Sequence, residues 1–126
     1  MQSVLIVEDE PLLLKALFEK LATEFECITA NNGGEGIKLA KQHHPNIILL
    51  DLVMPHYDGM TLLRNLRQDE WGKNAKVIVL TNLSDERSME EARKLNIISY
   101  LIKANLKLDE VLQNVRSTLG VSGSNT

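Results

Sequence analysis

Short apolar runs alternate with helical patterns along this chain. "SVLIV" (3–7), "CITA" (27–30), "NIILL" (46–50), "KVIVL" (76–80) and "SYLI" (99–102) are rich in Val and Ile and stay mostly apolar at consecutive positions. Strands of a parallel sheet, covered on both faces, read this way. Between the runs, apolar residues recur at helical spacing. Pro11 suits a first helical position, and "PLLLKALFEKLATEF" carries Leu13, Ala16, Leu17 and Leu21 on one face. Asn32 is placed to cap a helix through Ala40 that Gly34 and Gly36 weaken. Asp58 is placed to cap "GMTLLRNLRQDE", with Leu62, Leu63 and Leu66 inward and Gly72 beyond its end. Ser84 is expected to cap "DERSMEEARKL", a mostly polar helix with Met89, Ala92 and Leu95 inward. The last helix carries Leu108, Val111, Leu112, Val115 and Leu119, and Gly120 ends it.

Five βα units with short connections predict an α/β fold, a doubly wound five-stranded parallel sheet with helices on both faces. The expected strand order is 2-1-3-4-5. One domain over residues 1–120 accounts for the elements, and the polar "VSGSNT" (121–126) reads as a flexible tail.

Bulk properties narrow the function. At 126 residues and 44% hydrophobic, the chain can bury a core without disulfides or structural metals. A net charge of -3 offers no attraction to nucleic acid or anionic membranes. No apolar run exceeds four residues, and "MQSVLIVEDE" enters a strand without the basic and apolar regions of a signal peptide. Cys27 is the single cysteine, so no internal disulfide is possible and a reducing, cytoplasmic setting is expected. Its place in "FECITA" reads as a packed core thiol.

Doubly wound sheets bind ligands at the carboxyl ends of their strands, where the strand order reverses. That point lies here between strands 1 and 3. Strand 1 runs into Glu8, Asp9 and Glu10, and strand 3 runs into Asp51. Carboxylates that converge repel one another, and a hard divalent cation such as Mg²⁺ relieves them through oxygen ligands. Strand 4 delivers Thr81 and strand 5 Lys103 to the same edge. Carboxylates, a hydroxyl, a lysine and a divalent metal suit a phosphoryl group.

"VLIVEDE", "LLDLVMPHYDG" and the order Asp51, Thr81, Tyr100, Lys103 together resemble the response-regulator receiver domain of two-component signalling, of the chemotaxis-receiver kind. The resemblance spans residues 3 to about 119 and implies a flavodoxin-like (βα)5 fold. It implies that Asp51 accepts a phosphoryl group from a phosphohistidine on a sensor histidine kinase or a histidine phosphotransfer protein. Asp9, Asp51 and the Val53 carbonyl would ligate Mg²⁺, and Glu8 would hold metal-bound water. Lys103 and Thr81 would neutralise and orient the phosphoryl oxygens. Thr81 and Tyr100 would act as the switch pair, changing a downstream protein's docking face on helix 4, strand 5 and helix 5. The chain would be a monomer or weak dimer, and a phosphoacceptor that catalyses its own phosphorylation and slow dephosphorylation, not a turnover enzyme. Pro55 and Gly59 would brace the loop behind Asp51, with Met54 packed inward.

Several positions depart from the family's pattern. Ala104 follows the lysine where proline in a cis bond is usual, and nothing in the sequence demands a cis bond here. Asn82 follows the threonine where a small residue is usual and is expected to crowd the site's entrance. Val53 and Leu83 occupy positions that commonly tune loss of the phosphoryl group. Two other readings compete. An aspartyl-nucleophile phosphatase of the haloacid-dehalogenase kind wants a general acid two residues after the nucleophile, where Val53 stands. A receiver-like module that binds partners without phosphorylation does not need the full set of Glu8, Asp9, Asp51, Thr81 and Lys103. No nucleotide-binding glycine motif occurs, and no DNA-binding module follows the last helix. His43 and His44 lack a third metal ligand, and His56 lies beside the acidic cleft.

Overall fold

The computed structural model describes residues 1–121, and the rest of the predicted tail, 122–126, lies outside the described residues. Five strands, β1 (Ser3–Val7), β2 (Glu26–Ala30), β3 (Ile47–Leu50), β4 (Val77–Thr81) and β5 (Ser99–Ile102), form one sheet in the order β2-β1-β3-β4-β5. Every pairing is parallel. Five helices alternate with them: α1 (Pro11–Leu21), α2 (Gly33–His43), α3 (Gly59–Gln68), α4 (Glu86–Lys94) and α5 (Leu108–Leu119). The fold is the expected flavodoxin-like one.

The sheet's side chains alternate between two cores. Leu5, Val7, Ile48, Leu50, Val77 and Val79 face α2, α3 and α4, where Ala40, Leu62, Leu63, Leu66 and Ala92 bury against them. Val4, Ile6, Ile47, Leu49, Ile78 and Leu80 face α1 and α5, where Leu17, Leu21, Val111, Leu112 and Val115 meet them. Central strands covered on both sides explain the unbroken apolar runs.

Pro11 opens α1, which stops at Leu21 so that Phe25 can turn into the core and lead into β2. Asn32 caps α2 through the Glu35 N–H, and the helix continues past Ala40 to His43. Its Gly36 is required by packing, since a Cβ there would lie 2.9 Å from Leu62 and 3.0 Å from Val7. Asp58 caps α3 through the Thr61 N–H at 2.8 Å. That helix closes at Asp69, whose carboxylate then accepts from the Gly72 N–H of a following 3₁₀ turn.

The start of α4 corrects the sequence reading. Asp85, not Ser84, is the cap, and its carboxylate accepts from the Ser88 N–H at 3.0 Å. A carboxylate satisfies the free amides and also complements the positive end of the helix dipole, which a hydroxyl does not.

Candidate functional site

The site is built where the sheet's two halves part. β1 and β3 are neighbours, but the chain leaves the end of β1 through α1 toward β2 and the end of β3 through α3 toward β4, which opens a cleft above the strand ends. β1 delivers Glu8, buried, and Asp9, half-buried. β3 delivers Asp51, 3% exposed. One carboxylate oxygen from each of Glu8, Asp9 and Asp51 falls within 4.8 Å of the others. β4 places Thr81, fully buried, and β5 is followed directly by Lys103. The residues the sequence singled out therefore share one edge.

Lys103 is the centre of the charge arrangement. Its Nζ donates to Asp51 Oδ2 at 2.8 Å, to Glu8 Oε2 at 2.9 Å and to Glu10 Oε1 at 3.1 Å. Burial alone would lower this ammonium's pKa, but its hydrogen bonds to Asp51 and Glu8 outweigh burial and hold it above its ordinary value. For Glu8 burial wins. Its carboxyl is pushed above the ordinary range, against hydrogen bonds from Lys103 and the Glu10 N–H that pull the other way. Glu8 Oε1 is buried and accepts no hydrogen bond, although Nζ passes within 2.8 Å of it without donor alignment. One lysine does not neutralise three converging acids. A buried carboxylate oxygen that accepts no hydrogen bond, beside two further carboxylates, fits a hard cation with oxygen ligands.

The loop behind Asp51 holds the acceptor still. Asp51 N–H donates to Val7 O at 3.1 Å, tying β3 to β1 at its last pair. Asp51 Oδ1 accepts from the Val53 N–H at 3.1 Å, so Val53 turns its backbone to the site while its side chain is 55% exposed. Met54 packs inward at 6% exposure, and His56 carries the reversal with φ 68°. Gly59 N–H closes the loop on Leu52 O at 3.1 Å. A Cβ on Gly59 would lie 1.9 Å from the Asp51 carbonyl oxygen, so only glycine allows this approach.

At the opposite rim, Thr81 Oγ1 accepts from the Leu83 N–H at 3.3 Å. Tyr100, half-buried, donates its hydroxyl to Leu83 O. Both predicted switch residues thus hold the same segment, residues 82–83. The Lys103–Ala104 bond is trans. Asn82 was expected to crowd the entrance. It does line the cleft, but its Oδ1 is engaged by the Ala104 N–H at 2.9 Å.

His44 ends α2 in the left-handed region and stacks on Trp71, with ring centroids 4.4 Å apart, a pairing that nothing in the sequence announced. Cys27 packs against the α1–α5 core, and burial pushes its thiol up to about 11.

Comparison with known proteins agrees with this geometry. The response regulator receiver domain family matches residues 4–116. The polar-differentiation response regulator DivK of Brucella ovis is 32% identical over 121 residues, covering 94% of this chain and 97% of that protein. Among solved structures, the CheX-CheY-BeF3-Mg complex from Borrelia burgdorferi matches with a TM-score of 0.84 and 33% identity, covering 94% of this chain and 89% of that one. A CheY-like receiver domain protein from Methanospirillum hungatei, 21% identical, shares the fold with a TM-score of 0.88, covering 95% of this chain and 94% of that one. The family match over residues 4–116 makes this doubly wound sheet, with its acidic cleft and a lysine at the carboxyl edge, a receiver. The chain belongs to the response regulator receiver family, whose general function is phosphorelay signalling.

Proposed function

We propose that this chain, over residues 1–120, is a cytoplasmic receiver that takes a phosphoryl group onto Asp51 and changes its docking face in response. The observation that carries the reading is a single carboxylate, Asp51, at a strand end with Lys103 on one oxygen and Glu8 and Asp9 within metal-sharing distance. A carboxylate oxygen of Asp51 attacks the phosphorus of a phosphohistidine on a kinase or phosphotransfer protein. The new O–P bond forms as the P–N bond breaks, and the released imidazole takes its proton from solvent. Lys103 and Thr81 hold the phosphoryl oxygens, the Val53 N–H steadies the acceptor carboxylate, and Gly59 lets the loop close on the acceptor's backbone.

Asp9, Asp51 and the Val53 carbonyl would hold Mg²⁺, with Glu8 on a metal-bound water. When bound, the ion neutralises phosphoryl oxygens during transfer. The Borrelia relative was solved as a complex that includes BeF3 and Mg, which supports a divalent cation as the ion of this site.

The switch runs through residues 82–83. As Thr81 turns to the phosphoryl group, its bond to the Leu83 N–H breaks, and Tyr100 follows from its place on Leu83 O. The face formed by α4, β5 and α5 then differs between states and is read by a protein partner. Driving such a two-state change from 1:99 to 99:1 takes about 5.5 kcal/mol of differential stabilisation.

The test is incubation with acetyl phosphate and Mg²⁺, followed by intact mass. A gain of one phosphoryl group is expected, lost in Asp51→Ala and in chelator. Equal incorporation into Asp51→Ala would overturn the assignment.

A further inference from the structure

We propose that Asn82 is a positioning residue for Lys103, acting through the backbone N–H of Ala104. β4 and β5 pair in parallel as far as Thr81 and Ile102, where the ladder ends. The next residues, Asn82 and Lys103, are the ones that leave the sheet at the acceptor edge. There the side chain of Asn82 continues what the backbone stops doing, since its Oδ1 accepts from Ala104 N–H at 2.9 Å. The donor is an amide N–H, so the group facing it is the Asn82 oxygen and not its nitrogen.

The turn that carries Lys103 needs such a tether. Lys103–Asn105 is a single 3₁₀ turn with no buried residue, closed by the Leu106 N–H on Lys103 O at 3.1 Å. Yet the Lys103 side chain is 9% exposed and places Nζ within 3.1 Å of three carboxylates. A short turn anchored on one side would let that ammonium drift. Misplacement by about 1 Å can cost a reacting group roughly a hundredfold. Asn82 supplies the second anchor, from the position just after the strand that carries Thr81. The two departures at 82 and 104 are therefore one feature, because Ala104 retains the N–H that Asn82 binds.

The inference rests on Lys103 meeting phosphoryl oxygens, and the experiment separates the two. Asn82→Ala and Asn82→Leu both remove the acceptor, and the second keeps the volume. Amide exchange at Ala104 and the NMR signal of the Lys103 ammonium report the tether without any phosphoryl chemistry. Beryllofluoride affinity reports Lys103 against a phosphoryl mimic, and Mg²⁺ affinity reports whether the carboxylates are still in place. In both variants Ala104 should exchange at least about tenfold faster, the Lys103 signal should shift, and beryllofluoride should bind about tenfold more weakly. Mg²⁺ affinity should not fall, because Lys103 is not a metal ligand and competes with the ion for the same carboxylates. Asn82→Asp retains an acceptor and should keep the Ala104 amide protected. An unmoved Lys103 signal in both variants overturns the inference, as does an equal loss of Mg²⁺ and beryllofluoride affinity. If the unmodified protein binds no beryllofluoride, the phosphoacceptor reading fails, and the Lys103 signal still decides the tether.

Discussion

Lys103 Nζ lies 2.8 Å from Asp51 Oδ2, joining the ends of β5 and β3 across the intervening strand β4. Both side chains are nearly excluded from solvent, at 9% and 3% exposure. The pair therefore links the two outer arms of the cleft through charge, at a place where the backbones do not touch.

Removing that lysine should be costly. In Lys103→Met, Glu8 and Asp51 are left buried without a counter-ion, a change worth about 3–5 kcal/mol in buried pairs. The cleft opens to water at the exposed Glu10, so the lower end of that range applies. The lysine's raised pKa means that its contribution is fully present below its ordinary value, near 10.4, and fades as pH rises through the folded value. At neutral pH the whole loss should appear in urea unfolding without divalent ions. Mg²⁺ should restore part of it by binding the folded state, and should bind Lys103→Met more tightly than the parent. Unchanged unfolding, or weaker Mg²⁺ binding, would count against the charge balance described.

Glu8 predicts a pH dependence of the same sign in a lower pH window. Its folded pKa lies above its unfolded one, so the folded state holds the extra proton between the two values. This group's contribution then falls as pH rises from the ordinary carboxylate range, near 4.3, through the higher folded value. Glu8→Gln removes the burden and leaves Lys103 paired with Asp51. Without divalent ions at neutral pH it should be more stable than the parent, an advantage that shrinks toward acid pH. Denaturant midpoints across pH for both proteins check this. A constant difference across pH would rule out Glu8 as its source.

Gly59 predicts a coupled loss of stability and chemistry. Its Cβ position is 1.9 Å from Asp51 O and 2.8 Å from the Leu52 Cα, both backbone atoms that cannot rotate away. Gly59→Ala must therefore push the loop out, breaking the bond from Gly59 N–H to Leu52 O. A loss of about 1–3 kcal/mol is expected. Phosphorylation by acetyl phosphate should slow as well, because the displaced atom belongs to the acceptor residue. Parent-like unfolding and rate together would show that the contact is relieved without moving Asp51.

Strands and most helix caps were legible because their signals are local. Buried strands must be apolar, and Asn32 and Asp58 each sit three residues before the amide they satisfy. The site was legible because topology brings four strand ends to one edge. What escaped depends on contacts between distant segments. Arg67 donates to the carbonyls of Leu95, Gly72, Ala75 and Asn96, tying α3 to both ends of the β4 unit, yet in sequence it reads as one more polar helix residue. The stack of His44 on Trp71 and the bond from Ala104 to Asn82 are hidden for the same reason. The Ser84 reading failed on a local choice between adjacent acceptors, which only the entry angle of α4 decides.

The last prediction concerns how long a phosphoryl group on Asp51 survives. Hydrolysis requires a water lined up opposite the Asp51 oxygen, and placing it is most of what a protein contributes. Val53 and Leu83 line the cleft on either side of Asp51, one from the β3–α3 loop and one from the segment after β4. Neither side chain can donate or accept a hydrogen bond, so neither can hold that water. The phosphorylated protein should therefore dephosphorylate slowly, over minutes to hours. Val53→Asn or Leu83→Glu should shorten that lifetime by giving the water a partner. Loss of phosphate from purified, phosphorylated protein with Mg²⁺ present measures it. Decay within seconds in the parent, or no acceleration in either variant, would show that these two side chains do not set the lifetime.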